Sequence, residues 1–291
     1  MLLSVVYNYH RFAIIVHTQR SKRIDNVMTR VSLPRLAIRT AVVVALLLAW
    51  HVAVAGFNAG NGFVPTPLAV LQALLQWVGF GGGSGQYSGT WWPAVVASTG
   101  RVLGGLAAAA VVAIPLGILI GRYRLAADIF DPVVQLLRPI PVSAWVPFSM
   151  VFFGIKPIAA MFLVSIGTFF PIVINTSSGA RHVSDLHLRS ASMLGASPLR
   201  TLLRVIFPAS LPSILTGLRV GMGLAWVLVI VAEMVAVKSG LGYELWNSYY
   251  YSRMDIIVAV MVTIGVLGYL FDYVILLASQ RLLAWHKATD Q

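Results

Sequence analysis

The chain has 291 residues, 58% of them hydrophobic and only 10% charged, and a mean hydropathy of +0.84. Those values exclude a soluble globular domain and define an integral membrane protein. Cysteine is absent, which excludes disulfides, thiolate metal sites and cysteine nucleophiles, and the formal charge of +12 reports where basic residues sit relative to a bilayer rather than an affinity for nucleic acid.

Crossing a hydrocarbon core of about 30 Å takes roughly 20 apolar residues. The opening "MLLSVVYNYHRFAIIVH" is too short, is broken by His10 and Arg11, and lacks the basic start and small-residue cleavage site of a signal peptide. Residues 1–36 therefore read as a cytoplasmic extension, with Met28 as an alternative start. Six runs are long enough to span: 37–56, 94–121, 126–153, 157–177, 211–237 and 256–280. They leave an external loop at 57–93 and a tail at 281–291. Fifteen of the 21 lysines and arginines fall in the N-terminal segment, after the second span, in the loop 178–210 and in the tail. The positive-inside rule puts these segments and both termini in the cytoplasm.

In the external loop, "TPLAVLQALLQWV" predicts a short amphipathic helix capped by Thr66 with Pro67 in its first turn, lying along the interface with Trp77, Trp91 and Trp92 as aromatic anchors. "GFGGGSG" is a turn that lacks the lysine and hydroxyl of a phosphate-binding loop. The third run is interrupted by "RPIPVSAWVP", with Pro139, Pro141 and Pro147. Either this is a structural kink, or it places Arg138, Ser143 and Trp145 beside a pathway whose cationic lining favours an anionic solute. Asn175, Thr176, Ser177 and Ser178 read as caps at the end of the fourth span.

Between spans four and five lies "RSASMLGASPLRTLLRVIFPASLP". Ser197 followed by Pro198 is a helix start, and Gly195 suits the left-handed end of a preceding helix. Leu199, Leu202, Leu203 and Ile206 recur at helical spacing, Arg200 and Arg204 share another face, and Pro208 and Pro212 end this helix and begin the next span. By pattern alone, such a helix pair is either a membrane-surface element with arginines on lipid phosphates or a rigid lever for a partner.

Among the remaining polar residues, Glu233 reads as interfacial, and the six histidines show no metal-binding spacing. Arg219 and Asp272 each lie eight residues into their spans, roughly 12 Å deep, and pair to neutralise each other. Nothing supports covalent catalysis. An ion-coupled secondary transporter, the main alternative, would place more ionisable residues at mid-membrane.

The loop resembles that of binding-protein-dependent ABC transporter permeases, whose pattern is Glu-Ala-Ala, three residues, Gly, nine residues, Ile-x-Leu-Pro. Ala191, Gly195, Val205, Phe207 and Pro208 fall at matching positions, with Arg189-Ser190 in place of the opening Glu-Ala. "FVPTPLAVLQAL", "LRPIPVSAWVPFSMVFFGI", "FFPIVINTSSGARHV", "PSILTGLRVGMGLAWVLVIVAEM" and "SGLGYELW" are similar, in that order, to the subfamily serving nitrate, taurine and aliphatic sulfonate importers. The resemblance implies an all-α, polytopic type I importer permease with a transmembrane core at 94–280, in a bacterial inner membrane. It implies a homodimer, two cytoplasmic ATPase subunits that carry the ATP and Mg, and a solute-binding protein outside. No cofactor, metal or enzymatic activity is expected on this chain. The coupling loop would comprise Arg189, Ala191, Gly195, Ser197, Leu199, Arg200, Leu203, Arg204 and Pro208, with Arg200 and Arg204 facing acidic residues of the ATPase.

Overall fold

Small residues recur every fourth position along the second apolar run, at Gly105, Ala109, Ala113, Gly117 and Gly121. In a helix this makes one narrow groove where a second backbone can approach closely. The computed structural model, which describes residues 33–57, 64–80 and 86–283, has this groove filled by another helix. Expectations for the N-terminal extension, for Met28, His10, His17 and His286, for most of the glycine-rich turn and for the end of the tail lie outside the described residues.

The chain divides into two compact units, residues 1–67 and 68–291. Described in the first is α1 (Leu33–Phe57), whose apolar stretch is Thr40–Gly56. The second holds α2 (Pro67–Val78), α3 (Trp91–Arg122), α4 (Arg124–Leu137), a 3₁₀ turn (Val142–Trp145), α5 (Val146–Phe153), α6 (Pro157–Arg181), α7 (Asp185–Met193), α8 (Pro198–Thr201), α9 (Phe207–Ala236), α10 (Leu241–Tyr250) and α11 (Met254–Leu282). Among the described residues, four helical stretches are long and apolar enough to cross a membrane: α3, α6, Pro198–Ala236 and α11.

The groove of α3 holds α6. A Cβ on Gly105 would meet Val164 at 2.7 Å, one on Gly117 would meet the Val173 carbonyl at 2.8 Å, and one on Gly121 the Ser177 carbonyl at 2.4 Å. Both residue numbers rise together, so α3 and α6 run parallel. Gly179 lies against Ser213 and Gly217 against Ile172, so α9 runs antiparallel to both. Parallel α3 and α6 require the intervening chain to cross back. The third run is therefore a crossing, though not one continuous helix over 126–153: α4 and the pair formed by the 3₁₀ turn and α5 meet at 90°. Pro139 and Pro141 have no backbone N–H to donate; Arg138 before Pro139 is still helical (φ −54°, ψ −41°), but Pro141 is extended (ψ 135°), and the rod breaks between them. Gly121→Val should force the α3 and α6 backbones apart, lowering stability by about 1–3 kcal/mol, measurable as a lower Tm in detergent.

Three further expectations are corrected. Asn175–Ser178 do not end a helix, because α6 runs on to Arg181. Asn175 Nδ2 donates to the Pro171 carbonyl at 2.8 Å and Ser177 Oγ to that of Ile174 at 3.0 Å, so these two bond back within the helix, whereas the buried Thr176 Oγ1 finds no partner among the described residues. Pro208 and Pro212 do not separate two helices. A widened π turn at Leu202–Ile206, closed by the Phe207 amide on the Leu202 carbonyl, shifts the bonding register just before Pro208, and the helix continues. Trp77 is not an interfacial anchor: it is fully buried, and its indole N–H donates to Thr90 Oγ1 at 3.0 Å. Trp91 donates to Thr263 Oγ1 at 3.3 Å, while Trp92 stays exposed.

Candidate functional site

The 90° break leaves a cavity of about 370 Å³ between the broken crossing, α6 and α9. Arg138 caps the C-terminal end of α4 and lines this cavity together with Val142, Phe170, Asn175 and Val220. A discontinuous helix at membrane depth is tolerated where it borders a cavity, and its ends are where transported ions and solutes are met. Of Arg138, Ser143 and Trp145, Arg138 lines this cavity. Ser143 is exposed on the 3₁₀ turn but does not line the cavity. Trp145 packs on the apolar cluster of Val146, Ala159, Leu163 and Ala232, edge-to-face with Phe148 at 5.6 Å. Asn175, read from sequence as a cap, takes their place.

At the end of the molecule where α3 and α6 terminate, α7 and α8 protrude as a hinged pair. Ser184 Oγ accepts the Leu186 amide at 3.3 Å, and Asp185 sits at the positive end of α7. The exit from α7 is closed by Ala196 N–H on the Ala191 carbonyl and Gly195 N–H on that of Ser192, both 3.0 Å. This is the two-bond cap that needs a left-handed residue, and Gly195 supplies it with φ +70°. Ser197 Oγ accepts the Arg200 amide at 3.4 Å, with Pro198 in the first turn of α8.

The loop is seated by Ala191, Leu188, Leu202 and Ile206, the last three against Ile118 and Ala180. The four-residue apolar stripe is thus divided: Leu202 and Ile206 turn inward, whereas Leu199 and Leu203 are 65% and 58% exposed. Sequence reasoning missed the most exposed apolar pair, Met193 (88%) and Leu194 (85%), at the tip beside Gly195. Arg189, Arg200 and Arg204 are exposed around this tip, and Pro208 lies behind it in α9.

Arg219 Nε donates to Asp272 Oδ1 at 2.6 Å and Nη2 to Oδ2 at 2.7 Å, a two-pronged contact joining α9 to α11. Asp272→Asn should strand the guanidinium on an apolar helix. The expected result is about a two- to fivefold loss of folded protein in the membrane, with less change in transport per molecule; restoration of yield by adding Arg219→Gln, seen on quantitative blots, checks it.

Glu233, expected near the interface, lies three residues before the end of α9 and is fully buried. Its carboxylate accepts from Arg101 Nη1 at 2.5 Å, from Ser98 Oγ at 2.8 Å and from the Gly242 amide at 2.9 Å. Arg101 also donates to the Ser239 carbonyl and hydroxyl, at 2.7 and 2.5 Å. Gly240, at φ +107°, packs so closely that a Cβ would lie 2.4 Å from the Glu233 carboxylate. Every lone pair of a buried carboxylate that lacks a donor is costly. Here Ser98 and Arg101 of α3 and the Gly242 amide at the start of α10 supply three donors to a carboxylate carried by α9, tying these helices together at the far end of the bundle.

Parallel and antiparallel crossings around a broken helix, a cavity at the break and a capped helical projection at one end are the architecture of a membrane transport protein. The chain belongs to the binding-protein-dependent transport system inner membrane component family, which matches residues 113–284. It is 33% identical over 224 residues to the taurine transport system permease protein TauC of Escherichia coli, covering 77% of this chain and 80% of that one. With the nitrate import permease protein NrtB of a Synechocystis strain it shares 34% identity over 258 residues, 87% and 91% of the two chains. A chain of the MetNI methionine ABC transporter in an inward-facing conformation has the same fold, with a TM-score of 0.56 at 20% identity over 67% of this chain and 96% of that one. The chain is thus a multi-pass ABC importer permease of type I fold, and ATP hydrolysis resides on a separate partner.

Proposed function

We propose that two copies of this chain form the pathway for a small anionic solute of the nitrate, taurine or sulfonate kind, delivered by an external binding protein and driven by two ATPase subunits docked on α7–α8. The termini and the α7–α8 loop face the cytoplasm, α1 is the first of six crossings, and α10 lies on the outer side. The observation that carries this reading is Arg138 lining the cavity at the broken crossing beside Asn175. A guanidinium with no carboxylate partner in that cavity attracts an anion, and the planar fork suits an oxyanion in particular. The named substrates of TauC and NrtB support the same class.

Two copies are needed because an ATPase pair closing on two nucleotides must move two levers, and each chain carries one. Reconstitution with the partner ATPase and binding protein in proteoliposomes tests the reading. ATP-dependent uptake of nitrate or taurine is expected, and Arg138→Gln should reduce it by about tenfold or more, the size of one lost charge-assisted contact. Uptake of neither anion, or unimpaired uptake by Arg138→Gln, overturns it.

A further inference from the structure

A second cleft, also about 370 Å³, adjoins the first and shares Arg138 and Ile174 with it. Its walls are two helix faces with the same spacing. On α4 the face is Asp131, Val134, Gln135 and Arg138, and on α6 it is Ile174, Ser177, Ser178 and Arg181, each at i, i+3, i+4 and i+7. Two-turn faces this polar on helices of an apolar bundle are expensive against lipid and belong on a water-filled route. From Asn175 the cleft extends by three to six residues of α6, about 4.5–9 Å, toward the α7–α8 end.

We infer that this cleft is a second binding station for a small monovalent oxyanion, formed by Arg138 and Arg181, in which the Asp131 carboxylate competes with the anion for Arg181. The inference rests on the anion reading above. Two guanidiniums and one carboxylate leave a net positive charge. The Arg181–Asp131 pair is 48% and 31% exposed at its two side chains, and pairs so exposed are readily exchanged. Ser178 and Gln135 provide further donors, and His182 is fixed beside them by Nδ1 at 2.7 Å from the Ser178 carbonyl. Since Arg138 borders both cavities, an anion moving from one to the other keeps one guanidinium throughout. Asp131 then returns to Arg181 as the anion leaves, so it acts as a built-in displacing group that keeps the last station weak.

Because the chain has no cysteine, Ser177→Cys provides a single thiol in the cleft. In the purified permease, without ATPase or binding protein, labelling of this thiol by N-ethylmaleimide is measured in nitrate or methanesulfonate against chloride at equal ionic strength. Both oxyanions should slow labelling at least about threefold. Adding Asp131→Asn should lower the half-protecting concentration by about tenfold, because the competing carboxylate is gone. Arg181→Gln should abolish protection, with Arg181→Lys retaining part of it and showing that the fold survives. No slowing by either oxyanion, or protection indifferent to Asp131 and Arg181, overturns the station. Those outcomes leave ATP-driven uptake as the separate test of the proposed function, since binding is read on the permease alone.

Discussion

Glu233→Ala should cost about 3–5 kcal/mol of stability, among the largest effects of any single substitution in the bundle. The change leaves Arg101 buried, 6% exposed at its side chain, with no carboxylate, and withdraws the acceptor from the Gly242 amide. Breaking such a pair is worse than lacking it, since most of the penalty is the uncompensated charge that remains. The double variant Arg101→Met with Glu233→Leu is therefore expected to recover most of the loss, and unfolding midpoints of both singles and the double in detergent measure the coupling. Strict additivity would mean that the two charges do not depend on each other.

Gly195→Val should uncouple the protein from its ATPase while leaving it in the membrane. A Cβ at this position meets nothing within 4 Å, so the penalty is purely conformational. A left-handed residue bearing a Cβ costs roughly 1–2 kcal/mol, and more when β-branched. A shift of that size changes the population of the capped turn about 5- to 30-fold. The tip bearing Met193 and Leu194 is then misdirected, and solute-stimulated ATP hydrolysis should fall by at least about tenfold with normal membrane levels. Leu194→Asp, which keeps the turn and charges its apolar tip, should give the same phenotype. Unchanged stimulation in both variants would remove the loop from the coupling path.

The helical class, four of the apolar runs and the capped turn at Gly195 were legible because they rest on local signals: run length, Ser-Pro starts and a glycine after an amphipathic turn. The misreadings share a different cause. That Pro139 and Pro141 fall at a 90° break while Pro208 and Pro212 sit inside a continuous helix, Pro208 just after a π turn, is set by the surrounding packing and not by any residue propensity. Trp77 looked like an anchor because indoles favour interfaces, yet its partner, Thr90, sits beyond a turn. The Arg101–Glu233 pair was accessible by the same depth matching that paired Arg219 with Asp272. Arg101 is about 10 Å into its run and Glu233 about 6 Å from the end of its own, on the same side. Reading Glu233 as interfacial hid the match. The division of Leu199 and Leu203 from Leu202 and Ile206 could not be read from spacing, because each pair is four apart and only packing against Ile118 and Ala180 decides which turns inward.

Crosslinking from the α7–α8 tip tests the central claim most directly. The cysteine-free chain allows single cysteines at Met193, Leu194 and Leu199, exposed positions on either side of Gly195. Reaction with a short bifunctional reagent in membranes that also contain the partner ATPase should give a permease–ATPase adduct from all three, changing in yield when ATP binds. Adducts with lipid alone at these positions, with the ATPase captured instead from another face of the permease, would contradict the assignment of α7–α8 as the ATPase-docking lever.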